Sequence, residues 1–233
     1  MAFADWFSAD EWQAIGLTLV VASRAVMFAL PLALGLAFAL SRWRFAGRAV
    51  LDTVTYLPLV LPPVVVGWML LLVFGLHGPV GAALHDWFGI RLVFTRGGAV
   101  LACATMILPL MVRAIRLSLD AVDPGLEQAA RTLGAGPWDR FLTITLPLAA
   151  PGVLVAGIAG FAAALGEFGA VITFAANIPG QTQTLPLAIF SALQSPGGEA
   201  VAGRLSLVSV LLAVVFLTLA ERLGRRLRSR VGR

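Results

Sequence analysis

The stretch Leu205-Ser-Leu-Val-Ser-Val-Leu-Leu-Ala-Val-Val-Phe-Leu-Thr-Leu-Ala220 is apolar apart from its hydroxyl residues and contains no charge. A helix needs about 20 predominantly apolar residues to cross the hydrocarbon core of a bilayer. Outward from this stretch, similar apolar runs fill most intervals between charged residues. Across 233 residues, 59% are hydrophobic and 12% are charged, whereas a soluble domain has about 25% charged residues. The sequence therefore predicts an all-α integral membrane protein.

We expect about five transmembrane helices in one domain that covers residues 1–233. The predicted spans are residues 22–41, 55–76, 98–119, 148–174 and 202–223. A further apolar stretch at 185–193 contains Pro186 and is too short to cross a bilayer. We interpret it as a re-entrant or interfacial segment.

The arginines predict the orientation of the chain. All 17 basic residues are arginines. With five spans, thirteen of them fall on one side and only Arg91, Arg96 and Arg204 on the other, while Arg24 lies near the edge of the first span. Because arginine-rich loops remain in the cytoplasm, we expect a periplasmic N-terminus and a cytoplasmic C-terminus.

Residues that are rare or missing exclude several classes of protein. The sequence contains no lysine, so this chain cannot supply the Walker A lysine of a P-loop ATPase. The single cysteine, Cys103, excludes an internal disulfide and a zinc ribbon, and His77 and His85 lack the H-E-x-x-H spacing. Since the arginines flank apolar runs, their charge indicates membrane topology and not nucleic-acid binding. We therefore expect no catalytic residue, no metal site and no cofactor in this chain.

The loop at 122–147, between the third and fourth spans, predicts a short capped helix. Asp123 is a favourable N-cap, Pro124 suits the first helical position, and Gly134 suits the left-handed residue that ends a helix. An apolar stripe with helical spacing consists of Leu126, Ala129, Ala130 and Leu133. On these residues alone, the helix is either a lid packed on the bundle or a docking surface for a partner.

Two further expectations concern the same loop. Glu127 precedes Arg131 by four residues, so we expect the two side chains to pair. Gly136-Pro137 predicts the start of a second short helix, which we expect to end before Pro147.

The spacing Glu127-x-Ala129-Ala130, followed by Gly134 and by Ile144-x-Leu146-Pro147, resembles the EAA loop of ABC importer permease subunits. The resemblance implies that the first helix is a coupling helix, which docks into a cleft of a separate ATPase subunit. It assigns this role to Glu127, Ala129, Ala130, Leu133, Gly134, Leu146 and Pro147. Gln128 departs from the general pattern, which has alanine there, but faces solvent on the predicted helix.

Other segments are similar to the oxyanion branch of these permeases. They are Leu57-Pro-Leu-Val-Leu-Pro-Pro-Val-Val-Val-Gly67, Met111-Val-Arg-Ala-Ile-Arg116, Leu165-Gly-Glu-Phe-Gly-Ala170, and Asn177-Ile-Pro-Gly180 with Thr182 and Thr184. These are shared by molybdate and sulfate permeases, whereas Ser195-Pro-Gly-Gly-Glu199 and residues 113–134 look closer to molybdate permeases. The resemblance implies import of molybdate, with tungstate as a co-substrate, across the bacterial inner membrane; a sulfate or thiosulfate permease is the alternative.

The resemblance also implies an assembly. Two copies of the chain form the pathway, two ABC subunits bind ATP and magnesium, and a periplasmic oxyanion-binding protein delivers the anion. The chain itself would be a transport subunit in contact with lipid, with no ATPase site of its own.

Four residues are candidates for the translocation path or its gate. Glu167 lies within the predicted fourth span, where a carboxylate is costly, and Asn177, Thr182 and Thr184 follow that span. Glu167 is a structural hydrogen-bonding group, a gate or subunit-contact residue or, in a rival proton-coupled secondary transporter, a proton relay. The loop after the fourth span either seals the outer mouth or forms an outer gate. There, Thr182 or Thr184 is expected to cap the segment at 185–193, with Arg204 adding attraction for an anion.

Overall fold

The computed structural model describes the backbone of residues 6–231, and side chains for residues 6–219 and 221–224. Every regular element in this part of the chain is a helix, which confirms the all-α prediction. The helices are α1 (Ala9–Arg42), α2 (Arg48–Val60), α3 (Pro63–Phe74), α4 (Pro79–Phe88), α5 (Arg96–Asp120), α6 (Pro124–Thr132), α7 (Pro137–Arg140), α8 (Leu146–Leu165), α9 (Gly169–Ala175), α10 (Leu185–Leu193) and α11 (Glu199–Val231).

Four stretches of the described chain are long and apolar enough to cross a membrane. They are α1, α5, the continuous segment Pro137–Leu165, and Glu199–Gly224 within α11. Helices α3 and α4 provide a fifth if they count as one span bent by 48°. Four or five crossings agree with the predicted number. The helix α10 is not among these stretches, as expected for its length.

The second predicted span, 55–76, is not one helix. Helix α2 ends at Val60 and α3 begins at Pro63, with Leu61 in an extended conformation between them. Proline disfavours a helical conformation in the residue before it, and neither Pro62 nor Pro63 has an N–H to continue the ladder. Helix α4 follows and contains His85, while His77 lies in the turn before it.

The fourth predicted span, 148–174, differs at both ends. Its helix begins at Pro137, because the short helix expected to end before Pro147 continues into α8. A π-helical turn at Phe141–Thr145 joins the two, and the N–H of Leu146 donates to the carbonyl of Phe141. Such a widened turn provides space for a proline within a helix. At the other end α8 stops at Leu165, and α9 follows after a break.

Helix α5 forms the centre of the bundle and packs against α1 and α8. Small residues permit this close packing. Gly160 and Ala164 of α8 are buried, and a Cβ atom on Gly160 would lie 2.8 Å from the sulfur of Met111. On α1, a stripe of alanines at every fourth position is fully buried: Ala25, Ala29, Ala33 and Ala37.

Candidate functional site

Helix α6 has the local structure that the sequence predicts. The carboxylate of Asp123 accepts the N–H of Gly125 at 2.8 Å, which caps the first turn. At the other end, the N–H of Ala135 donates to the carbonyl of Ala130, and Gly134 has a φ of +87°. This is the Schellman arrangement, which requires a left-handed residue and therefore favours glycine.

The apolar side of α6 faces outward. None of the nine residues of α6 is buried, and Leu133, which follows it, is 89% exposed. Trp138 in α7 is 74% exposed. Exposed large apolar residues grouped at one end of a bundle are typical of an interaction surface. The position of α6 therefore does not support the alternative of a lid packed on the bundle.

Glu127 faces the bundle. Its Oε1 atom lies 3.0 Å from Nη2 of Arg42, at the end of α1, and accepts a hydrogen bond of 2.8 Å from the hydroxyl of Thr145. The expected pairing with Arg131 is wrong, because these two residues from other elements occupy the carboxylate. Glu127 thus joins α6 to α1 and to the π-helical turn.

Leu146 and Pro147 lie at the start of α8. Leu146 is half-buried and directly follows the π-helical turn, and Pro147 is exposed in the first turn of α8. The structure therefore brings Glu127 close to this turn through Thr145 and places the exposed Ala129 and Leu133 on the outward face.

Glu167 lies in the break between α8 and α9, and not within a continuous span. Its Oε1 accepts the N–H of Ala170 at 3.0 Å. A carboxylate at the start of a helix satisfies a free backbone donor and interacts favourably with the helix dipole. This hydrogen bond favours the structural interpretation of Glu167 among the three that the sequence left open.

The loop between α9 and α10 is held by Thr182. Its buried hydroxyl donates to the carbonyl of Ala176 and accepts the N–H of Ile178, both at 3.0 Å. Asn177 donates to the hydroxyl of Ser191 in α10 at 2.7 Å. Two of the three candidate loop residues thus connect the loop to itself and to α10.

Thr184 occupies the N-cap position of α10, but neither it nor Thr182 caps the helix with its side chain. The hydroxyl of Thr18 in α1 accepts the N–H of Leu185 at 2.6 Å instead. The Thr184 hydroxyl is buried and has no hydrogen-bond partner among the described residues. The prediction that Thr182 or Thr184 caps α10 is therefore wrong.

The arginines near this loop are engaged in other contacts. Both Nε and Nη2 of Arg204 donate to the buried carboxylate of Glu11 in α1, at 3.2 and 2.9 Å. Arg96 donates to the carbonyl of Gly180 at 2.7 Å. The expectation that Arg204 attracts an anion is therefore not supported, because a carboxylate neutralises its charge.

Sequence reasoning missed Arg42, Thr145 and Thr18. Arg42 was considered only as one of many charges that set topology, and the two threonines carried no local signal. Their partners are far away in sequence, by 167 residues for Thr18 and Leu185. Within the described residues, no group of three or more histidine, cysteine, aspartate or glutamate side chains is arranged to hold a metal ion.

Comparison with known proteins places this arrangement in a family. A family model described as "Binding-protein-dependent transport system inner membrane component" matches residues 29–232. The chain belongs to this family. It is accordingly a multi-pass inner-membrane protein and a component of a binding-protein-dependent transport system.

Two permease proteins are similar in sequence to this chain. The molybdenum transport system permease protein ModB of Escherichia coli (strain K12) is 56% identical over 223 residues, which are 96% of this chain and 97% of that protein. The sulfate transport system permease protein CysT of the same strain is 39% identical over 213 residues, or 90% of this chain and 76% of that one.

A solved structure shares the fold of this family member. It is a bacterial alginate ABC transporter in complex with an alginate pentasaccharide-bound periplasmic protein. Its matching chain has a TM-score of 0.75 and 19% sequence identity, with 94% of this chain and 80% of that chain covered.

Proposed function

We propose that the chain is the membrane-spanning permease subunit of an ATP-driven ABC importer that carries molybdate, and also tungstate, into the cytoplasm. One observation carries the choice of substrate: the 56% identity to a molybdenum permease extends over 96% of this chain and 97% of that relative. The sulfate permease is 39% identical. That difference supports molybdate over the alternative of sulfate or thiosulfate.

The assembly we propose contains two copies of this chain, two ATP-binding subunits and a periplasmic oxyanion-binding protein. ATP and its magnesium ion would bind to the separate subunits, in agreement with the missing lysine of a Walker A loop. The solved relative in complex with a periplasmic protein supports the third component. The distribution of arginines supports the end that carries α6 as the cytoplasmic one.

In this proposal α6 is the coupling helix, and its outward face with Ala129, Ala130 and Leu133 docks into the ATPase. Gly134 sets the direction in which the chain leaves that face. Closure of the ATP-bound subunits would move the two coupling helices and switch the path between inward-facing and outward-facing states. ATP bound to the separate subunits thereby shifts the equilibrium between these two states of the permease.

The loop that holds Asn177, Thr182 and Thr184 is the proposed outer gate. Thr184 supports this role best, because its hydroxyl has no partner among the described residues and is free to bond in another state. For Glu167, the hydrogen bond to Ala170 supports a positioning role for α9. It offers no support for a proton-coupled transporter.

Uptake in cells tests the proposal. A bacterial strain that lacks its own molybdate permease would express this chain with the ATPase and binding protein of a molybdate system. We expect ATP-dependent accumulation of radiolabelled molybdate, competition by excess tungstate, and little competition by excess sulfate. Competition by sulfate as strong as that by tungstate would favour the sulfate alternative, and accumulation without the ATPase would contradict an ABC importer.

A further inference from the structure

The end of the bundle that carries α6 contains a connected set of polar contacts. Nη2 of Arg42 lies 3.0 Å from Glu127 in α6 and also donates to the carbonyl of Leu119 in the last turn of α5, at 3.0 Å. Next to Arg42, the hydroxyl of Ser41 donates to the carboxylate of Asp120. One arginine at the end of α1 therefore contacts both α5 and α6.

Helix α6 depends on these contacts more than an ordinary surface helix does. None of its residues is buried, so apolar packing within this chain contributes little to its position. The Arg42 and Glu127 side chains are only 19% and 24% exposed, and ion pairs with limited access to water are screened less by salt. The same Glu127 oxygen also accepts the hydroxyl of Thr145, which fixes the carboxylate between two elements.

We propose that Arg42 is a positioning residue that makes α6 and α1 move as one body. The proposal rests on the function proposed above, because it concerns how a movement of the coupling helix reaches the spans. When the ATPase displaces α6, the Glu127–Arg42 pair pulls on the end of α1, and the Arg42–Leu119 bond carries the same movement to α5. Without the guanidinium, α6 would follow the ATPase while α1 and α5 stay behind.

A competing role for Glu127 is a direct ion pair with the ATPase subunit. The geometry favours the internal role, because the carboxylate faces Arg42 and Thr145 while the apolar side of α6 faces outward. The two roles differ in what Arg42 does. If Glu127 acts only on the ATPase, removal of the Arg42 charge would leave the coupling unchanged.

The experiment uses the complete transporter, reconstituted in liposomes with its ATPase and binding protein. For Arg42→Gln we expect the ATPase to co-purify as with the wild type. The ratio of ATP hydrolysis with molybdate-loaded binding protein to basal hydrolysis should fall by at least about fivefold, a typical allosteric coupling. Arg42→Lys retains a charge that can reach Glu127 and should restore a large part of the ratio.

Arg44→Gln is the matched control, because Arg44 is exposed and lies two residues away. It removes the same charge from the same region and should leave the ratio as in the wild type. Thr145→Val serves if Arg42→Gln fails to insert, since it keeps the side-chain shape and removes only the hydroxyl that donates to Glu127. We expect it to lower the ratio by about twofold, a loss in the range of one hydrogen bond.

A wild-type ratio in Arg42→Gln, or in Thr145→Val where the first variant does not insert, would overturn the proposal. Equal losses in Arg42→Gln and Arg44→Gln would do the same, because they would indicate a general effect of surface charge. A failure of the proposed function is visible separately: the wild-type transporter would then import no molybdate, whatever the variants do.

Discussion

Thr18 in α1 accepts the N–H of Leu185 at 2.6 Å and thereby caps a helix that begins 167 residues later in the chain. The same hydroxyl donates to the carbonyl of Ala14, so it acts as donor and acceptor at the same time. This contact attaches the start of α10 to the first half of α1. The position of the short helix α10 is therefore fixed by α1, and not by its own N-cap residue.

Thr18→Val tests this contact. We expect the loss of the cap to destabilise the protein by about 1 kcal/mol, because the buried N–H of Leu185 is left without an acceptor. The midpoint of thermal unfolding of the purified protein would measure the change. Thr53→Val is the control, since Thr53 is exposed and bonds only to the carbonyl of Ala49 in its own helix. Equal shifts in both variants would contradict a capping role for Thr18.

The orientation of the chain is open to cysteine labelling. In a Cys103→Ala background, we expect a cysteine added after Arg233 to react with a membrane-impermeant reagent only from the cytoplasm. A cysteine placed near Asp5 should react only from the periplasm, because the arginine-rich loops remain inside. Both positions lie outside the described residues. Labelling of the two ends from the same side would contradict an odd number of spans.

Gly134→Val tests the end of the coupling helix. A β-branched residue at a φ of +87° costs on the order of 1–3 kcal/mol, so the chain would leave α6 in another direction. We expect a membrane-inserted protein with weakened ATPase co-purification and no molybdate uptake.

Gly136→Val is the matched control for Gly134→Val. A Cβ atom has open space at both glycines, but Gly136 has an ordinary φ of −69°. It should therefore retain uptake. Normal transport by Gly134→Val would contradict the coupling role of this turn.

The two threonines of the outer loop should respond differently to removal of their hydroxyls. Thr184→Ala removes a group without a hydrogen-bond partner in the described structure, so stability should change little while molybdate uptake falls, if the group acts in the gate. Thr182→Ala breaks two hydrogen bonds that hold the loop and should destabilise the protein by about 1–2 kcal/mol. Unchanged uptake in a double Thr182→Ala, Thr184→Ala variant would leave sealing of the outer mouth as the better explanation.

The sequence alone determined the features of this protein that depend on composition or on neighbours within one helical turn. Apolar runs predicted the all-helical bundle, because a backbone in lipid must satisfy its hydrogen bonds internally. Asp123 and Gly134 predicted both ends of α6, since each acts on backbone groups only a few residues away. The motif around Glu127 predicted the family through residue types and spacing.

Tertiary structure decided where the polar side chains find their partners. Glu127 bonds to Arg42 and not to the arginine one turn away, and Leu185 takes its cap from Thr18 and not from Thr184. In each case a partner nearby in sequence competes with a distant one at a similar energy. The choice depends on which helices become neighbours when small residues such as Gly160 let them approach. That packing is a property of the whole bundle, and no local window of sequence contains it.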